Sequence, residues 1–263
     1  MDLGIRDRIA LVTAASRGLG RAIAHQLSLE GARLVICSRH AAGIRQTAAE
    51  IASETGNSVK AFTCDVTDNE QVNKMMQEIE KEFNRLDILV CNAGGPPAGS
   101  YNEFDLDDYR QALELNLLST VRLCRAALPF MQSRKWGRII AVTSVSVKQP
   151  LNNLILSNTA RSGVTAYLKT LANQVAGDCI TVNAVLPGYT HTTRLDELAG
   201  NYEKNGQGSS EDFFRELAQD IPAGRLGTPG ELAQVVAFLS SEGAGYINGV
   251  SLPVDGGFVK SLL

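Results

Sequence analysis

No stretch of the 263-residue chain approaches the ~18 consecutive apolar residues of a membrane helix, so a membrane span is not expected. The opening, MDLGIRDRIALVT, lacks a basic segment followed by an apolar one. No secretory signal is read there, and a cytoplasmic location is the expectation. An excess of one charge is also missing: 25 Lys and Arg face 28 Asp and Glu, a net charge of -3, which makes nucleic acid a poor partner. No Cys-x-x-Cys pair occurs. The five cysteines, Cys37, Cys64, Cys91, Cys124 and Cys179, are scattered, and buried reduced thiols are expected. The three histidines, His25, His40 and His191, lie far apart without metal-ligand spacing, so no metal is expected.

What is present suits one large α/β domain over 1–263, with 44% hydrophobic and 20% charged residues and enough chain for a substantial core. Short β-branched apolar runs fall at 8–13, 33–38, 58–64, 88–93, 138–144, 180–185 and 249–255. Several are apolar on both faces, as buried parallel strands must be. Segments of helical period lie between them, most clearly at 19–30, 42–54, 70–83, 106–133 and 156–175. This alternation predicts a Rossmann-type doubly wound parallel sheet of about seven strands with helices on both faces. A polar, glycine-containing segment at 198–214 breaks the rhythm, inside an excursion of about 190–225. Its place after the strand at 180–185 predicts an excursion over the carboxyl edge of the sheet. A substrate-covering lid is expected there, and a plain surface loop is the alternative.

The stretch TAASRGLGRAIAHQL follows the first strand and opens the first helix. Gly18 and Gly20 allow a tight turn and close approach to a ligand. The helix start then offers unsatisfied N–H groups to a pyrophosphate.

These residues resemble the short-chain dehydrogenase/reductase family, near its 3-oxoacyl-carrier-protein reductase members. The family's Thr-Gly-x-x-x-Gly-x-Gly loop is matched at Thr13, Gly18 and Gly20, with Ala14 in place of the first glycine. That methyl group is a small change if the backbone there has negative φ. The resemblance runs over almost the whole chain. The loop it implies as cofactor-binding holds Thr13, Ser16, Arg17, Gly18, Leu19 and Gly20. Asp65 and Val66 match the pair that flanks the adenine, and Asn92, Ala93 and Gly94 match the family's Asn-Asn-Ala-Gly. Pro187, Gly188, Thr190 and Thr192 match the loop that holds the nicotinamide amide. RLGTPGELAQVVAFL and VDGG match the C-terminal helix and last strand.

The second strand ends with Ser38 and Arg39, where NAD-preferring members place an acid. No carboxylate repels a 2′-phosphate, and Arg39 can bind one, with Arg17 as a second cation. NADP(H) is the expected cofactor.

The resemblance also implies a catalytic set of serine, tyrosine, lysine and asparagine. Ser144 and Asn116 match the serine and asparagine. The tyrosine position holds Ser157 and the lysine position holds Arg161, in a register fixed from both sides by Ser144 and by LKTLA at 168–172. Their i, i+4 spacing keeps both on one helical face. Arginine keeps the charge. Serine is the larger loss, because a phenol has a pKa of about 10 and an aliphatic hydroxyl is a much weaker acid. Tyr189, His191 and Lys148 are alternative proton donors, as is a water held by Ser157 and Ser144; Tyr167 stands almost three turns from Ser157.

Three readings follow. The first is an NADP-dependent reductase of a 3-oxoacyl compound, another ketone or an imine, with a non-standard proton donor. The second is an NADP(H)-binding protein without dehydrogenase turnover, in a regulatory or sensor role. The third is a non-redox reaction in the same pocket. A small-molecule substrate is the expected partner. The resemblance implies a homo-oligomer, dimer or tetramer, for which Leu113, Leu117, Leu123, Ala127 and the C-terminal DGGFVKSLL are candidate contacts.

Overall fold

The computed structural model describes residues 2–262. Seven parallel strands form one sheet in the order β3-β2-β1-β4-β5-β6-β7. They are β1 (Ile9–Val12), β2 (Arg33–Ser38), β3 (Val59–Thr63), β4 (Ile88–Cys91), β5 (Gly137–Val142), β6 (Ile180–Pro187) and β7 (Ser251–Val254). Alternation of side chains within the strands divides the core in two. Ile9, Leu11, Leu89, Cys91, Ile139 and Val182 meet the helices of one layer. Ala10, Val12, Ile88, Val90, Ile140 and Val185 meet the other. The first layer holds α3 (Asn69–Phe83), α5 (Ser119–Arg134) and α6 (Ile155–Val175). The second holds α1 (Gly18–Leu29), α2 (Ala41–Thr55) and α9 (Pro229–Leu239).

Local signals set the helix starts. Asp68 caps α3 by accepting from the N–H groups of Glu70 and Gln71. Thr228 and Glu231 form a reciprocal capping box at α9, with Pro229 in the first turn.

Strand order reverses between β1 and β4, which opens a crevice at their carboxyl ends. Thr13 and Asn92 clasp the two ends there. The Thr13 hydroxyl donates to the Asn92 carbonyl at 2.6 Å and accepts from the Asn92 N–H at 2.9 Å. Thr13 is fully buried, so it positions the crevice wall instead of lining the groove.

Four expectations are corrected. The helix read at 106–133 stays helical throughout but is not uniform: α4 (Leu106–Leu113) passes into α5 through one π turn, Glu114–Leu118. The hydroxyls of Ser119 and Thr120 donate to the carbonyls of Leu115 and Asn116 at 2.5 and 2.8 Å, supplying partners within this wide turn. The polar excursion is not a loop but two helices, α7 (Thr193–Lys204) and α8 (Ser210–Gln219), the second with a Ser209–Asp212 capping box. Cys179 is exposed, because it ends a short turn with φ of 57° instead of pointing into the sheet; the other four thiols are buried. Leu123 and Ala127 are buried against the sheet of their own chain and so are not available as partner contacts, whereas Leu118 is exposed.

Replacing Thr13 by Val keeps the shape but strips the Asn92 N–H of its acceptor. The expected loss is about 1–3 kcal/mol, the cost of a buried donor left unpaired. It is read as a lower urea midpoint at unchanged slope.

Candidate active site

The groove begins at the loop between β1 and α1. Gly18 has φ of +58° and starts α1. Arg17 at the N-cap provides no side-chain cap, so the first N–H groups of the helix face outward for an anion. Gly20 is fixed by close approach: a Cβ there would stand 2.4 Å from the Ala14 carbonyl oxygen and 2.7 Å from Asn92 Nδ2. Ala14 departs from expectation. Its φ is +47°, in the left-handed region that penalises a side chain. Its carbonyl is held toward Asn92 Nδ2 at 3.3 Å, which fixes this backbone although the residue is not glycine.

At the β2 side of the groove, Ser38 is buried and its hydroxyl donates to the His40 carbonyl at 3.3 Å. Arg39 is exposed. The Asp65 carboxylate accepts from the Thr67 N–H and hydroxyl at 2.9 and 2.7 Å, shaping its own turn. The Val66 carbonyl is held by Arg122 at 2.8 Å. Ser16 and Leu19 are half-buried on the loop, and the Ser16 carbonyl accepts from Thr47. Arg17 is turned the other way: its guanidinium pairs with Glu197 of α7 at 3.0 Å, spanning the groove from the phosphate loop to the excursion.

At the opposite end, Asn92, Ala93 and Gly94 leave β4. Gly94 faces open space, with no atom within 4 Å of where a Cβ would lie. Asn116, in the π turn, donates from Nδ2 to the Gly94 carbonyl at 3.0 Å. Its Oδ1 is buried with no partner among the described residues, an acceptor available to a ligand or a water. Gly188 packs so tightly on Asp255 that a Cβ would meet it at 2.7 Å, and its N–H donates to the Val254 carbonyl at 3.1 Å. This pins the turn that carries Pro187, Thr190 and Thr192. Thr190 is buried and bridges Gly227, and Thr192 opens α7 opposite Gly18.

Ser144 follows β5 and accepts from the Ser146 N–H at 3.1 Å, keeping its own proton to donate. Ser157 and Arg161 lie on α6 and are 6% and 8% exposed. Arg161 Nε donates to Ser157 Oγ at 3.2 Å. Its Nη1 donates to the Val142 and Thr143 carbonyls, at 2.9 and 3.0 Å, where β5 ends. Burial, with Arg194 nearby, pushes the Arg161 guanidinium down to about 10, so it stays charged at neutral pH.

The other candidate donors differ in their surroundings. Tyr189 packs edge-on against Phe258 with centroids 5.2 Å apart, and burial raises its phenol. His191 is exposed, with Nε2 2.8 Å from Asp196. Lys148 is half-buried at the end of the short turn after Ser144. Burial also raises the Tyr167 phenol. Arg194, which sequence reasoning missed, reaches from the first turn of α7 to the Pro96 carbonyl at 3.3 Å. Its only signal in the sequence was its place two residues beyond Thr192.

A family model described as enoyl-(acyl carrier protein) reductase matches residues 13–259. The chain belongs to the short-chain dehydrogenase/reductase family. It is 35% identical over 259 residues to the 3-oxoacyl-[acyl-carrier-protein] reductase FabG of Haemophilus influenzae, covering 98% of this chain and all of the relative. Among solved structures it is similar to L-sorbose reductase from Gluconobacter frateurii, complexed with NADPH and L-sorbose, with 32% identity, full coverage of both chains and a TM-score of 0.96. An actinorhodin polyketide ketoreductase with NADPH is 31% identical with a TM-score of 0.92, covering 97% of this chain and 98% of that one.

Because Ala14 carries a side chain at positive φ, Ala14→Gly should stabilise the fold. Relief of left-handed strain, about 1–2 kcal/mol, exceeds the added freedom of an unfolded glycine, about 0.4–1 kcal/mol. A rise in the urea midpoint is expected.

Proposed function

We propose that this family member is an NADP(H)-dependent reductase of a small carbonyl compound, with the Ser157–Arg161 pair and Ser144 in the place of a phenolic acid. The observation that carries the reading is the bond from Arg161 Nε to Ser157 Oγ, with Nη1 anchored on the β5 carbonyls. A hydroxyl that accepts from a cation keeps its own proton for the substrate, and the cation polarises it. Ser144 offers a second such proton.

The groove fits a phosphorylated dinucleotide. The uncapped start of α1 suits the pyrophosphate, and Gly94 leaves room beside β4. Arg39 suits a 2′-phosphate, since Arg39 and His40, exposed just beyond the end of β2, bring no carboxylate there. Arg17 can join it on leaving Glu197. Thr190 and Thr192 would lie along the nicotinamide end, with Asn116 beneath it. When bound, the cofactor supplies hydride. NADPH in the sorbose reductase and ketoreductase neighbours supports the same choice.

Carbonyl reduction gathers negative charge on oxygen. Loss of a positioned acid forfeits about 10²- to 10⁴-fold in rate. Two hydroxyls, that of Ser157 polarised by a buried guanidinium, would offset part of that by stabilising the alkoxide. The same guanidinium disfavours a protonated imine, so an imine is the weaker choice unless the substrate brings its own anion. We further propose a homo-oligomer, supported by exposed Leu118 and by exposed Tyr246, Val250 and Leu252 around β7.

The direct test is oxidation of NADPH by purified protein with a panel of ketones, oxo acids and imines. NADPH binding without oxidation across the panel would favour a sensor, and product formed without nicotinamide consumption a non-redox reaction. Exchanging Ser157→Tyr with Arg161→Lys should raise carbonyl reduction by about tenfold or more, the low end of what a restored acid contributes. Arg39→Ala should weaken NADPH binding by about tenfold, or 1.4 kcal/mol, and leave NADH binding nearly unchanged.

A further inference from the structure

We infer that the substrate is a 2- or 3-oxo acid and that Arg194 binds its carboxylate, a specificity role that rests on the reductase reading above. Arg194 stands in the first turn of α7, and its Nη2 donates to the Pro96 carbonyl at 3.3 Å. Its guanidinium also passes 3.6–3.7 Å from where a Cβ of Gly95 would lie. The side chain thus crosses from the excursion to the loop that continues from Asn92, Ala93 and Gly94. The neighbouring Gly94 carbonyl accepts from Asn116, which puts this guanidinium at the Asn116 end of the groove.

Neither cation has a counter-ion among the described residues. The acids nearest Arg194 in sequence are already paired, Asp196 with His191 at 2.8 Å and Glu197 with Arg17 at 3.0 Å. Arg161 spends its bonds on two carbonyls and one hydroxyl. The start of α7 adds the positive end of a helix dipole, and Thr192 supplies no side-chain cap. Arg161 is buried and Arg194 is exposed at the rim of the same groove; their like charges repel, and an anion placed between them relieves this. A carbonyl oxygen facing Ser157 and Ser144 answers Arg161 only as charge develops. A carboxylate one or two bonds away answers Arg194 from the start, and the planar guanidinium matches it with two parallel hydrogen bonds.

The step balances as follows. The carbonyl carbon gains hydride from the reduced nicotinamide, and the π pair moves to oxygen. The oxygen takes a proton passed from solvent through Ser157. A hydroxy acid and the oxidised nicotinamide result, with the carboxylate unchanged.

The test pairs short 2- and 3-oxo acids with their methyl esters, using the full chain and NADPH. The acids should be preferred in kcat/KM by about tenfold or more, the size of a lost hydrogen bond to a charged group. Arg194→Met should raise KM for the acids, and cost them about tenfold more than it costs the esters. Arg194→Lys should restore part of the difference. Equal losses on acids and esters, with weaker NADPH binding, would overturn the proposal and give Arg194 to the cofactor phosphates. Preference for esters would overturn it too. If neither acids nor esters are reduced, the reductase reading fails by itself. Calorimetry with oxamate and NADP+ then decides the site: binding that Arg194→Met weakens about tenfold supports it, and no binding to the unaltered protein sinks it.

Discussion

A buried guanidinium with no carboxylate partner among the described residues governs the candidate site of this molecule. Taking such a cation out of water costs several kcal/mol, and only good hydrogen bonds make the position tenable. Arg161 finds them in the Val142 and Thr143 carbonyls, which stand free where β5 ends, and in Ser157 one turn earlier on α6. The orientation of Ser157 follows from this one placement, while α6 docks on the sheet through Val164, Leu168, Leu171 and Val175. A lysine would offer a compact point charge there; the arginine fork binds strand and helix at once.

Around it the groove is built from strand ends. Thr13 and Asn92 tie β1 to β4 at the reversal of strand order. Asn92 also reaches the Ala14 carbonyl, and that carbonyl lies where any side chain on Gly20 would fall. One asparagine therefore joins the glycine loop after β1 to the end of β4. Asn116 extends the chain of contacts to Gly94 from a π turn, a wide turn frequent at functional sites. Ala14 bears local strain for the same arrangement, as residues in such loops often do.

Much of this was legible in one dimension. Runs such as IALV and ILVC, apolar on both faces, gave their strands away because a parallel sheet covered by helices buries both sides. The spacing of Ser157 and Arg161 gave one helical face. The π turn at 114–118 was not legible, because an amphipathic pattern continues through it and the signal is side-chain hydroxyls turning back on the backbone. The excursion looked like a loop because its glycines and charges outweigh its few apolar positions, yet Leu195 and Ala199 bury one face of α7.

The sequence by itself determined the alternation of strand and helix, the glycines of the phosphate loop, the missing acid at the end of β2, and the family. These are local or pattern properties, written in residue type and spacing. Only the tertiary structure decided where each charge goes. Arg17 crosses to Glu197, Arg161 turns down onto β5, and Arg194 reaches back to Pro96. Each contact spans a long stretch of chain. A long flexible side chain does not record its partner in its neighbours, because the partner is chosen by the folding of the sheet edge and the burial that follows.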